Sequence, residues 1–125
     1  MRASVKRLMK AEYLRFSPGV VRFKIMRLLE DDECPILHDE ELRGFEALLD
    51  TFKKADEELE KAINRFPKVF YRYFNKPAYI ELDGERAEGL IELLERKSGY
   101  ELSERAAKIK HHGKTYLIAF EFPCG

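Results

Sequence analysis

The sequence predicts an α+β fold: a long central helix packed on a small antiparallel sheet that closes with a C-terminal β-hairpin. Three observations predict it. Large apolar residues recur at alternating steps of three and four from Leu42 to Phe66, the seam of an amphipathic helix. "RAAKIKHHGKTYLIAFEF" places two strand-like runs around a His-Gly turn. A chain of 125 residues is large enough to bury one core without disulfide or metal staples, so residues 1–125 are read as a single domain.

The N-terminal stretch admits two readings. "MRASVKRLMKAEYLRF" places Val5, Leu8, Met9 and Phe16 on one helical side with Lys6 and Lys10 off it, but Glu12 falls on that same side. "VVRFKIM" alternates Val21, Phe23 and Ile25 against Arg22 and Lys24, as a strand does. Ser17, Pro18 and Gly19 suit either a hairpin turn or a helix start. A strand over 20–26 is preferred, while residues 3–29 stay open between helix and β-hairpin. A helix from Ser17 to Leu29 would instead resemble the opening of a winged helix-turn-helix.

The central helix is expected over about residues 39–66, with Asp39 as its N-cap. Some 28 residues would reach about 42 Å, against about 36 Å for the width of a compact chain of this size. It should therefore protrude, bend or pack on a second chain. Asp56 is the one polar residue in the seam, so it either sits at a gap in the partner surface or finds a cationic mate. Past Phe66 the period continues to Phe70 and Tyr73, so Pro67 is expected to kink the helix or begin a new one, with these aromatics facing the core. Residues 30–38 form a loop. "AYIEL" then reads as a strand, Asp83 as the cap of "GERAEGLIELLERK", and Gly99 as its end. The hairpin turn is expected at His112 to Lys114, with Tyr116, Ile118, Phe120 and Phe122 on the packed face.

The net charge is zero but the charge is segregated. Residues 1–27 carry eight Lys and Arg against Glu12, residues 28–60 carry three against thirteen acids, and residues 61–80 carry five against none. "RFPKVFYRYFNKP" adds five aromatics to that last block. Lys61, Arg65, Lys68, Arg72 and Lys76 fall within one helical arc of roughly 80°, a basic ridge opposite the seam. Tyr71 beside Lys68 is placed to stack on a base or cover the lysine stem. Arg22 and Lys24 are counted with the ridge as nucleic-acid contacts.

The leading functional expectation is a non-enzymatic DNA- or RNA-binding or regulatory protein using this ridge. The alternative is a protein-interaction module, a homodimer or an inhibitor or adaptor of a larger assembly, using Leu42, Phe45, Leu49, Phe52, Asp56 and Leu59. A third is a metal-dependent hydrolase using Glu81, Asp83 and Glu85, which alternate along a strand end. Gly113, Lys114 and Thr115 copy the end of a phosphate-binding loop, but Lys108 stands where its first glycine belongs and a strand follows. Cys34 and His38, with His111, His112 and Cys124, have zinc-ligand chemistry but are scattered over three elements. No metal, no cofactor and no catalytic residue are therefore expected. The acids of residues 30–33 are read as a solvated loop. Lys/Glu-rich, amide-poor usage, with no Gln and only Asn64 and Asn75, resembles that of thermophiles. Without an apolar run of about 20 residues or a secretion signal, a cytoplasmic, non-membrane protein is expected.

Overall fold

The computed structural model describes residues 20–121. Val20–Leu28 forms β1, and a loop leads through one 3-10 turn, Asp39–Leu42, into α1, Glu46–Arg65. A second 3-10 turn, Lys68–Phe70, runs into the single-turn helix α2, Tyr71–Phe74. There follow β2, Ala78–Asp83, then α3, Gly84–Ser98, and the hairpin of β3, Ala107–His111, with β4, Lys114–Glu121. The strands form one antiparallel sheet in the order β2-β1-β4-β3. The fold is thus α+β, with helices packed on a four-stranded sheet. The expectations for residues 3–19, Phe122 and Cys124 fall outside the described residues.

Strand periodicity makes this sheet one-sided. Phe23 lies opposite Ile80 on one neighbour and Phe120 on the other, and Ile25 lies between Ala78 and Ile118. These join Val21, Leu82, Ile109, Leu48, Leu90 and Leu94 in the core between sheet and helices. The alternate residues Arg22, Tyr79, Leu117 and Ala119 lie exposed or half-buried on the other face. Because β1 sits in the middle of this sheet, the helical reading is excluded over Val20–Leu28. The run of Val and Ile favours an extended backbone there, where two neighbours can satisfy its peptide groups.

The central helix is shorter than expected. Its first four positions form the separate 3-10 turn, and Gly44, at φ +87°, breaks the chain before α1 begins at Glu46. The 20 residues of α1 span about 30 Å, so the helix fits on its sheet without protruding. Asp39 opens the 3-10 turn one residue after the N-cap, His38, whose N–H donates to Glu41 Oε1 at 2.9 Å. Asp83 does cap α3, accepting from the Arg86 N–H at 2.9 Å, and the helix ends at Gly99. Among the described residues, no helix is long and apolar enough to cross a membrane.

Of the two expectations at Pro67, the second holds: a new helical segment starts there, with Pro67 as the N-cap of the 3-10 turn Lys68–Phe70, and α1 does not continue through a kink. Phe66 is extended at φ −132° and ψ 154°, and Pro67 at ψ 143°, which turns the chain away from the α1 axis. The residue before a proline is driven out of the helical region by the ring. Phe70 and Tyr73 consequently point outward, not into the core as the seam predicts.

Candidate functional site

Among the described residues, two places gather chemistry-bearing side chains: the end of α1 with the segment that follows it, and the tip of the β3–β4 hairpin.

At the first, α2 is fastened to the sheet by residues four apart. Asn75 is buried, and its Nδ2 donates to the Arg27 carbonyl at 2.7 Å. The Tyr71 hydroxyl donates to Glu30 and accepts from the Leu29 N–H at 3.3 Å. Tyr71 is therefore a buried anchor, and the stacking role expected for it is corrected. Arg72 is likewise held, by an ion pair to Glu30.

With Tyr71 and Asn75 turned inward, Val69, Phe70, Tyr73 and Phe74 turn outward. Tyr73 is 82% exposed and Val69 79%. Phe74 stacks flat on Phe66, with ring centroids 3.6 Å apart and planes 8° from parallel. A cleft of about 300 Å³ runs beside this pair, lined by Lys61, Arg65, Lys76, Glu58 and Tyr73. Lys61 reaches Glu58 at 3.4 Å, whereas Arg65, Lys68 and Lys76 make no ion pair among the described residues. The expected single helical ridge is thus a folded-over one, with Lys61 and Arg65 on α1 and Lys76 brought back beside them by the turn at Pro67. Arg22 and Lys24 are elsewhere, on the open face of β1, with the Arg22 guanidinium 4.0 Å from the Tyr79 ring centroid.

The apolar stripe of α1 is occupied within the chain. Leu42, Phe52 and Leu59 are buried, and Phe45 and Leu49 pack against the core, so this row faces the protein's own sheet. Of the two expectations for Asp56, a gap or a cationic mate, the structure shows the second. Its Oδ1 accepts from Arg27 Nη1 at 3.4 Å and its Oδ2 from Lys114 Nζ at 3.1 Å. The Tyr116 hydroxyl also donates to Oδ1, at 2.8 Å. Burial, followed by that hydrogen bond and the Asp56 charge, pushes the Tyr116 phenol well above its ordinary range.

At the hairpin tip, Asp39 lies between two histidines. His111 Nε2 is 2.8 Å from Asp39 Oδ1, and His112 Nε2 is 2.9 Å from both carboxylate oxygens. Hydrogen bonds from His112 and then His111 hold the Asp39 carboxyl below its ordinary value. His111 is buried with its ring 5.0 Å from that of Phe52, which in turn stacks on Tyr116 at 4.2 Å. A cleft of about 330 Å³ continues from the histidines past Phe52 to Lys53, Asp56 and Lys114. This grouping was hidden in the sequence because Asp39 is 72 positions from His111. The one local signal was a histidine in the turn position where Asn-Gly is usual.

The remaining candidates separate. Among the described residues, Asp39, His111 and His112 form the cluster of three potential metal ligands, and Glu81, Asp83 and Glu85 form none. Cys34 is a half-buried free thiol whose pKa burial raises, and it stands apart from the histidine pair. The acids of residues 30–33 are not merely solvated. Asp31 pairs with Lys110 and Asp32 with Lys108, each at 2.7 Å, and Glu30 takes Tyr71 and Arg72. The hydrogen bond from Lys110 lowers the Asp31 pKa, and the same bond raises that of Lys110.

Comparison of the chain with protein-family models, with curated proteins and with solved structures gives no match.

Proposed function

We propose that this protein binds single-stranded nucleic acid through the cleft at the end of α1. The observation that carries the reading is the meeting of Lys61, Arg65 and Lys76 with the exposed ring of Tyr73 around one groove. Cations that track a phosphate backbone beside aromatic faces that stack bases are the two components of sequence-tolerant single-strand binding. A duplex hides its base faces and gives Tyr73 nothing to stack on.

The test is fluorescence anisotropy of labelled single-stranded RNA and DNA, with duplex controls, at 50 and 200 mM salt. Three phosphate contacts on a single strand give a log–log salt slope near −2, or a loss of about 20-fold over that range. The double variant Lys61→Glu, Arg65→Glu should abolish binding while the protein still melts cooperatively. No binding at the lower salt, or binding indifferent to salt, removes this reading.

A protein-interaction module is the second reading, favoured by the exposed Val69, Phe70 and Phe74. Apolar side chains gathered outside a core mark contact surfaces. A homodimer built on them would dissociate on Val69→Glu, as read by light scattering.

A further inference from the structure

We propose that Asp39, His111 and His112 form a zinc-binding site at the tip of the β3–β4 hairpin, with a fourth coordination position open to the adjoining cleft.

The three potential donor atoms already lie within 4.8 Å of one another. Zinc ligands at about 2.0–2.1 Å in a tetrahedron stand roughly 3.3 Å apart. The observed 2.8 and 2.9 Å contacts need to open by a few tenths of an ångström, and the exposed His112 ring must swing out of its stack on His111 so that both Nε2 lone pairs meet at the ion. Two borderline imidazoles outnumber one hard carboxylate, a donor set that suits zinc over magnesium or calcium, whose sites are built from oxygen.

The backbone explains how the two histidines come side by side. Successive residues in a strand face opposite ways, yet the His111 and His112 rings stack at 4.0 Å with planes 14° apart. Their common direction comes from the turn, where His112 takes φ +50° and Gly113 φ +76°. Left-handed backbone at both central positions is the type I′ hairpin, which Asn-Gly fills with less strain. The chain thus carries a histidine where the turn alone prefers asparagine, and the side chain so positioned joins its neighbour on one carboxylate.

His111 is 5% exposed and held against Phe52, so its donor atom is fixed before any ion arrives. Three protein ligands leave a fourth position for water or a small anion, the pattern of an open zinc site. Lys53 and Lys114 line the cleft alongside and would favour phosphate there.

The experiment is calorimetric titration of the full chain with zinc alone at neutral pH, with cobalt(II) absorption to read coordination number. The result expected is one zinc per chain with four-coordinate cobalt bands. His112→Asn, which keeps the turn, and Asp39→Asn, which keeps the shape, should each weaken zinc at least tenfold with no loss of melting temperature in chelator. Cys34→Ser should bind as wild type does. The proposal is overturned by absence of saturable binding, by equal affinity in His112→Asn or Asp39→Asn, or by loss of binding in Cys34→Ser.

Discussion

The Asp56 carboxylate on α1 accepts the Tyr116 hydroxyl of β4 at 2.8 Å, across the layer between helix and sheet. Arg27, on the neighbouring strand β1, reaches the same oxygen at 3.4 Å. One acid in an otherwise apolar seam therefore ties the helix to two central strands and fixes its position over them. The same carboxylate separates the hydrophobic core from the cleft at the hairpin tip, since its second oxygen takes Lys114 from the solvent side.

Asp56→Ala leaves the Arg27 guanidinium and the Tyr116 hydroxyl without their shared acceptor. The Asp56 and Arg27 side chains are each 20% exposed, so the loss should fall below the about 3–5 kcal/mol seen when a fully buried pair is broken. About 2 kcal/mol is expected, which at this chain length lowers the melting temperature by about 6–10 °C. Asp56→Asn keeps an acceptor for Tyr116 and should recover part of it. Thermal melts of both variants decide this, and an unchanged midpoint for Asp56→Ala would mean that the network holds nothing.

The raised phenol pKa of Tyr116 has a consequence at alkaline pH. Its folded pKa lies above the ordinary value of 10.0, so the stability it contributes is fully present below about pH 10 and is lost as pH rises through the folded value. Tyr116→Phe should be less stable than wild type by about 1.5–3 kcal/mol at pH 8, the worth of a hydrogen bond to a charged acceptor. The gap should narrow steadily above pH 10. Chemical denaturation of both proteins at pH 8, 10 and 11 measures it, and a gap constant over that range contradicts the assignment.

How far the sequence could be read depends on whether the physics was local. The hairpin, the Asp83 cap and the alternation in β1 are set by neighbouring residues, and all were legible. That Asp56 needed either a gap or a cation was legible too, since it stood in an apolar row, but which of the two was not. A new helical segment at Pro67 was legible, but the direction of Phe70 and Tyr73 was misread because they keep the period while Phe66 has left the helical region. Periodicity records spacing, and the extended backbone at Phe66 and Pro67 breaks the link between spacing and direction. The inward turn of Tyr71 was illegible for another reason, as its partners Leu29 and Glu30 lie about forty positions away. The Asp39 site joins residues still more distant along the chain.

The early end of the helical pattern at its other side yields a paired prediction. A Cβ added at Gly44 or at Gly84 meets nothing within 4 Å, so neither substitution changes packing. They differ in backbone: Gly44 stands at φ +87° between the 3-10 turn and α1, whereas Gly84 is the first residue of α3. Gly44→Ala should cost about 1–2 kcal/mol from left-handed strain. Gly84→Ala should be neutral or stabilise by about 0.4–1 kcal/mol through the unfolded chain. Equal effects in urea titrations of the two variants would show that Gly44 is not the break between the turn and the helix.

Tyr71 and Tyr73 are two residues apart and face opposite ways, which separates folding from binding in one pair of variants. Tyr73 is exposed and makes no hydrogen bond among the described residues. Tyr73→Ala should therefore leave stability within about 0.5 kcal/mol of wild type. If a base stacks on it, affinity for single-stranded RNA or DNA should drop by about 1–3 kcal/mol, roughly five- to 150-fold. Tyr71→Phe, by contrast, loses its bonds to Glu30 and Leu29. It should be destabilised by about 1–2 kcal/mol and, while folded, bind with wild-type affinity. Anisotropy titrations beside thermal melts distinguish the two, and a Tyr73→Ala protein that binds as tightly as wild type would leave the aromatic face to a protein partner.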